Sequence, residues 1–69
     1  MDFHQLKVFY SAVSTGSFTR ASQTLNLSQS AVSRQVSALE QELAVSLFHR
    51  HARGLILTEQ GDLLFRTAH

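Results

Sequence analysis

Residues 27–43 carry short hydrogen-bonding side chains at the spacing of one helix face. At about 100° per residue, one side of such a helix holds Ser30, Ser33, Arg34, Ser37 and Gln41. The other side holds an apolar stripe at i, i+4, i+7 and i+11, which consists of Val32, Val36, Leu39 and Leu43. The polar face donates and accepts hydrogen bonds and holds no acidic residue. This pattern is typical of a helix that lies close against another molecule, and it predicts a recognition helix.

The sequence holds few of the residue patterns that catalysis or metal binding requires. The chain has no cysteine, no glycine-rich phosphate loop and no nucleophile–base pair at a useful spacing. His49 and His51 would project to the same side of a strand, a spacing that could bind a metal, but no carboxylate accompanies them. We therefore expect no enzyme activity, no catalytic residue and no metal site, with both histidines at the surface.

Length and composition predict one small domain. The 69 residues, 43% of them hydrophobic and five of them Phe, are enough for one compact core. The absence of cysteine fits a reducing compartment. No basic region followed by a long apolar run stands at the N-terminus, so we expect no signal peptide, no membrane span and a cytoplasmic location.

The charge is distributed unevenly although its sum is only +1. No acidic residue lies between Phe3 and Leu39, a span that contains Lys7, Arg20 and Arg34. The five acids are Asp2, Glu40, Glu42, Glu59 and Asp62. One part of the surface is therefore expected to be positive. The low net charge leaves two partners open, a nucleic acid or an acidic protein surface.

Two helices are expected before the polar stretch. The first spans 2–14 and ends at Gly16, a residue suited to a left-handed backbone; its predicted core face comprises Phe3, Leu6, Phe9, Tyr10 and Val13. The second spans 18–25, with Ser17 as N-cap and Asn26 in the turn that follows. Ser28 is the expected N-cap of the third helix, which ends near Leu43. Two helices joined by so short a turn cross steeply, as in a helix-turn-helix.

In the last third of the chain, the spacing of the apolar residues no longer follows the helical period. Residues 47–50 and 55–57 are expected to form two short strands around an Arg53-Gly54 tip. Thr58 is the expected cap of a final helix, which we expect to continue beyond His69 in a longer chain.

The run S-F-T-R-A-S-x-x-L-x-L-S-Q-S-A-V-S-R-Q-V-x-x-L-E, followed by L-F-x-R-x-x-R-G-x-x-L-T-x-x-G, resembles the N-terminal domain of LysR-type transcriptional regulators. The resemblance extends from Phe3 to Phe65. The sequence departs from the family pattern at three places: Ala44 replaces the usual Gly, Ser30 a common Pro, and Ser22 the usual Ala.

The resemblance implies a mainly α winged helix-turn-helix, with a three-helix core, a short two-stranded β wing and the start of a linker helix. Residues 1–58 would be the DNA-binding domain, with the helix-turn-helix at about 18–37 and the wing at about 47–57. Residues 58–69 would begin the dimerising linker helix, cut short here, with dimer contacts at Leu63, Leu64 and Phe65. An effector-binding domain, which these 69 residues do not include, would follow.

The implied function is sequence-specific binding of double-stranded DNA in a bacterial transcription regulator. The recognition helix would enter the major groove and the wing the minor groove, in a homodimer on an interrupted dyad or a tetramer of the full-length protein. No cofactor is expected in this domain; a small-molecule effector would bind the missing C-terminal domain.

The resemblance and the chemistry of the side chains together suggest residue roles. Base edges would be read by Gln29, Ser30, Ser33 and Arg34, and the DNA backbone would be held by Thr19, Arg20, Ser28 and Ser37. For Ser37 and Gln41, solvent exposure or a subunit contact is an equal alternative. Arg53 matches the wing arginine that enters a minor groove; the alternative is an ordinary turn residue. Glu40 and Arg50 are expected to form a structural ion pair between the third helix and the wing.

Overall fold

The computed structural model describes residues 2–49 and 54–68. Four helices lie in this part of the chain: α1 (Phe3–Thr15), α2 (Phe18–Leu25), α3 (Gln29–Leu43) and α4 (Glu59–Ala68). The predicted helices are confirmed, with α1 shifted by one residue. Asp2 is the N-cap of α1 rather than its first residue.

Side-chain caps begin the first three helices, at Ser17 and Ser28 as the sequence indicated and at Asp2, which was expected inside α1. Gln5 N–H donates to Asp2 Oδ1 at 2.8 Å in a capping box. The hydroxyls of Ser17 and Ser28 accept from the backbone N–H three residues later at 3.2 and 3.1 Å. These bonds satisfy donors that a helix start would leave without partners.

Three of the helices end on a residue in the left-handed conformation. Gly16 (φ 72°), Asn26 (φ 59°) and Ala44 (φ 57°) follow α1, α2 and α3 in turn. The predictions for Gly16 and Asn26 are confirmed. Ala44, one of the three departures noted from the pattern of the resembling family, adopts the same backbone with a side chain that disfavours it.

The core lies between the first three helices and the segment that follows α3. Val32, Val36 and Leu39 of α3 are fully buried, as the apolar stripe predicted. Phe48 packs against Phe9 and Phe18, with ring centroids 5.6 Å apart in each pair. A side chain from outside the helices therefore completes the core between α1 and α2.

The predicted core face of α1 was partly wrong. Val8, Phe9 and Ala12 are fully buried, whereas Phe3 is 81% exposed. The helix packs against α2, α3 and α4, so its buried arc is set by these three neighbours. Tyr10 stacks on Phe65 of α4 with ring centroids 4.9 Å apart.

The described part of the expected wing contains a single antiparallel bridge, between Phe48 and Leu57, rather than two strands. His49 N–H donates to Ile56 O at 2.8 Å, and Thr58 N–H donates to Leu47 O at 3.0 Å. Gly54, expected at the tip, has a positive φ of 75°. Residues 50–53, which include Arg53 of the expected tip, lie outside the described residues.

The start of α4 is fastened to the segment before the bridge. Thr58 Oγ1 donates to Ser46 O at 2.6 Å and accepts from Gly61 N–H at 3.0 Å, which confirms its capping role. Gly61 is buried, and a Cβ there would collide with Leu47 O and lie 2.9 Å from Leu57 Cδ2. Only glycine allows this close approach of helix and segment.

Candidate nucleic-acid interface

The turn between α2 and α3 fixes the angle at which α3 is presented. After left-handed Asn26, Leu27 N–H donates to Ser22 O at 2.8 Å, and Leu27 packs against the core. Ala21 and Ser22 are buried on the inner face of α2, where small side chains let α3 cross closely. The Ser22 hydroxyl donates to Thr19 O at 2.6 Å, so its burial leaves no polar group unsatisfied.

The N-terminal end of α3 presents hydroxyl and amide groups to solvent. Ser28, Gln29 and Ser30 are all exposed. Ser28 Oγ accepts from Ala31 N–H at 3.1 Å and lies 3.2 Å from Ser30 Oγ, within hydrogen-bond distance. The helix dipole adds partial positive charge here, which suits contact with an anion such as a phosphate.

The polar face continues along the middle of α3. Arg34 is exposed, while Ser33 and Ser37 are half-buried. Within the described part of the chain, Arg34 forms no ion pair, so its guanidinium is available to a ligand. Gln41, one turn beyond Ser37, is exposed.

The first turn of α2 adds a second polar edge. Thr19 and Arg20 are exposed, and the backbone N–H of Arg20 is taken up by the Ser17 cap. Both belong to the acid-free span between Phe3 and Leu39. Their hydroxyl and guanidinium groups are of the kinds that hold phosphates.

Glu40 is buried, with 9% of its surface exposed. Its Oε2 accepts from Leu47 N–H at 2.7 Å, and its carbonyl accepts from Val45 N–H at 3.2 Å. The residue therefore connects α3 to the segment that leads into the expected wing. Its expected partner Arg50 lies outside the described residues.

Arg53 and His51 also lie outside the described residues. His49 is exposed and its backbone takes part in the bridge region. In residues 2–49 and 54–68, no group of three or more potential metal-ligating side chains is found. None of the helices in those ranges is long and apolar enough to cross a membrane.

The three residues expected at a dimer contact differ in exposure. Leu63 is 61% exposed, whereas Leu64 and Phe65 are half-buried and pack against the core. Phe65 holds α4 against α1 through Tyr10. Leu63 is therefore the member of this set that is presented outward.

The structure adds two residues that sequence reasoning did not assign to the interface. Asp2 and Gln5 line a groove together with Arg34 and the neighbouring side of α3. The D-x-x-Q pattern could have indicated a capping box. Its proximity to α3 depends on the crossing of two helices, which no local pattern specifies.

A family model described as "Bacterial regulatory helix-turn-helix protein, lysR family" matches residues 3–62. An uncharacterised HTH-type transcriptional regulator of Bacillus subtilis, YvbU, is 53% identical over 62 residues, which are 88% of this chain and 21% of the relative. The HTH-type transcriptional regulator CrgA of Neisseria meningitidis is 48% identical over 64 residues, 93% of this chain and 21% of CrgA.

Solved structures show the same fold. A crystal structure of the BenM DBD with catB site 1 DNA has a TM-score of 0.94 at 34% identity and covers 99% of this chain and 76% of that chain. The complex with benA site 1 DNA has a TM-score of 0.95 at the same identity and coverage. The chain spans about a fifth to a half of the length of the first curated relatives it matches.

Proposed function

The chain belongs to the LysR family of bacterial regulatory helix-turn-helix proteins, and we propose that it is the sequence-reading DNA-binding domain of a transcription regulator. The observation that carries the proposal is the match, over 99% of the chain, to domains solved in complex with DNA. The acid-free polar face of α3, on which Ser30, Arg34 and Gln41 are exposed, supports it, because a helix that enters the major groove needs donors and acceptors there.

In this proposal α3 enters the major groove with its N-terminal half against the base edges. Arg34 donates two hydrogen bonds to guanine O6 and N7, and Gln29 pairs with adenine. Ser30 and Ser33 read further base edges. The DNA backbone is held by Ser28 at the helix start, by Thr19 and Arg20 on α2, and by Ser37.

The remaining parts of the proposal concern the wing and the assembly. The Phe48–Leu57 bridge is part of a two-stranded wing. Arg53 at the tip of this wing enters a narrow minor groove. Two copies pair through α4, with Leu63, Leu64 and Phe65, and bind two half-sites about 10 bp apart or a multiple of it. The regulator works in the bacterial cytoplasm, where its DNA is, and a further domain binds a small-molecule effector.

Arg34→Ala tests the proposal at its main base contact. Duplexes are first selected from a random pool by the unaltered chain. The variant should then bind the selected duplex about 5- to 150-fold more weakly, the equivalent of ~1–3 kcal/mol, and lose selectivity at one base pair.

Arg66→Ala is the matched control, because it also removes one positive charge, from an exposed side chain of α4. It should weaken binding to selected and shuffled duplexes alike. An Arg34→Ala variant that keeps the affinity of the unaltered chain for both duplexes would exclude the base-reading role.

A further inference from the structure

A groove separates the N-terminal end of α1 from one side of α3. Its lining residues are Asp2, Gln5, Ala31, Arg34, Gln35 and Ala38. Two opposite charges that are far apart in sequence line this groove, without an ion pair between them in the described part of the chain. Asp2 is the only acidic residue before Glu40, and Arg34 is the only cation on α3.

Arg34 is the member of the reading face that lies nearest to α1. At about 100° per residue, Arg34 is displaced from Ser30 by about 40°, towards the side that carries the groove residues of α3. Ser33 and Ser37 are displaced in the opposite direction. The guanidinium therefore stands at the boundary between the base-reading surface and the groove.

The carboxylate of Asp2 is held in place before any ligand arrives. Its Oδ1 accepts from Gln5 N–H at 2.8 Å, and Asp2 N–H lies 3.4 Å from Gln5 Oε1. Within residues 2–49 and 54–68, no donor bonds to Oδ2. One oxygen thus fixes the side chain on a helix end, and the other is available to a cation.

A guanidinium has five N–H donors, and a guanine takes only two of them. A carboxylate that accepts from the remaining donors fixes the orientation of the fork. The same carboxylate repels the phosphates, which supply most of the affinity for non-specific DNA. Both effects increase discrimination between bases.

We propose that Asp2 is a positioning residue that orients the Arg34 guanidinium towards guanine, and that it increases selectivity while lowering non-specific affinity. The proposal depends on the proposed base-reading role of Arg34. In this proposal Asp2, the N-cap residue of α1, contributes to the base specificity of α3.

Asp2→Asn is the informative substitution, because Asn caps a helix as well as Asp does but carries no charge. The base pair to monitor is the one at which Arg34→Ala loses its preference for guanine. On duplexes selected by the unaltered chain, Asp2→Asn should reduce the preference for that guanine by about two- to five-fold, the range of an exposed ion pair. Its affinity for shuffled duplex should rise.

Two controls accompany the measurement. Asp62→Asn makes the same change in net charge on exposed α4 and should leave the guanine preference unchanged. In the Arg34→Ala background, Asp2→Asn should have no further effect on base preference. Thermal unfolding of the Asp2→Asn chain should match that of the unaltered chain, which shows that the cap is kept.

An unchanged guanine preference in Asp2→Asn, with Arg34→Ala showing its loss, would overturn this inference and leave the proposed function standing. The same loss in Asp62→Asn would overturn it too, as an effect of net charge alone. If Arg34→Ala kept the full preference, the base-reading role and the inference would fall together.

Discussion

At the scale of single residues, Ala44 is the position where sequence and backbone disagree most. Its φ of 57° and ψ of 35° place it in the left-handed region at the end of α3. A residue with a Cβ loses roughly 1–2 kcal/mol there, and glycine recovers most of this despite its greater freedom in the unfolded chain. Ala44→Gly should therefore stabilise the domain by about 0.5–1 kcal/mol in a denaturant titration.

Gly16 and Asn26 are the controls for this prediction. Gly16 has φ 72° and open space around its missing Cβ, so Gly16→Ala measures the conformational cost without a clash. It should destabilise the domain by about 1 kcal/mol. Asn26→Gly should gain less than Ala44→Gly, since Asn tolerates this backbone. A loss of stability in Ala44→Gly would contradict the assigned conformation.

Glu40 offers a second residue-scale prediction, because its buried carboxylate accepts from the N–H of fully buried Leu47. Glu40→Ala leaves that donor without its partner and should cost about 1–3 kcal/mol of unfolding free energy. If Arg50 pairs with Glu40 as the sequence led us to expect, Arg50→Ala should also destabilise the domain, and Glu40→Gln should be less stable than the unaltered chain. Arg50→Ala and Glu40→Gln chains as stable as the unaltered one would reject the ion pair and leave the hydrogen bond to Leu47.

At the scale of elements, α4 has one side fastened to the domain and one side presented outward. Phe65 stacks on Tyr10, while Leu63 is 61% exposed. Leu63→Glu should change the stability of the monomeric chain by no more than about 0.5 kcal/mol. In the proposed dimer it should weaken self-association, measured by sedimentation equilibrium.

Phe65→Ala separates the two roles of α4. It should lower the stability of the monomer itself, because it removes a packed aromatic ring. Self-association of the Leu63→Glu chain at the level of the unaltered chain would remove Leu63 from the dimer contact.

The elements themselves were largely predictable because their boundaries are local. Ser17 and Ser28 cap helices through their own side chains, and Gly16 and Asn26 end them through their own backbone preferences. The buried arc of α1 was less predictable. Phe3 fits the apolar spacing but is exposed, because contacts with three other helices decide which arc is covered.

The candidate site was predictable to the same extent. The polar side of α3 follows from helical period alone, so the exposure of Ser30 and Arg34 was expected. The groove that Asp2 and Arg34 both line was not expected, since it arises where two helices cross and these residues are 32 positions apart in the sequence. Local rules describe each helix, and packing decides which side chains meet between helices.

At the scale of the whole molecule, the domain is near neutral, and its acids are unevenly distributed among the helices. The span between Phe3 and Leu39 contributes α1, α2 and most of α3 without an acid, while Glu59 and Asp62 lie on α4. A duplex that binds the polar face of α3 releases counterions, so log Kd should rise steeply and linearly with log salt concentration. If the polar face instead bound an acidic protein, the affinity of the domain for duplex DNA should not show this steep dependence on salt.

The most direct test of the central claim, that α3 reads DNA sequence, compares two duplexes of equal length and composition. One is selected from a random pool by the unaltered chain, and the other is its shuffled counterpart; affinities are measured at several salt concentrations. The selected duplex should bind at least about five-fold more tightly, the value of one good bidentate base contact, with a further factor for each additional contact. Equal affinities for both duplexes at every salt concentration would contradict the account.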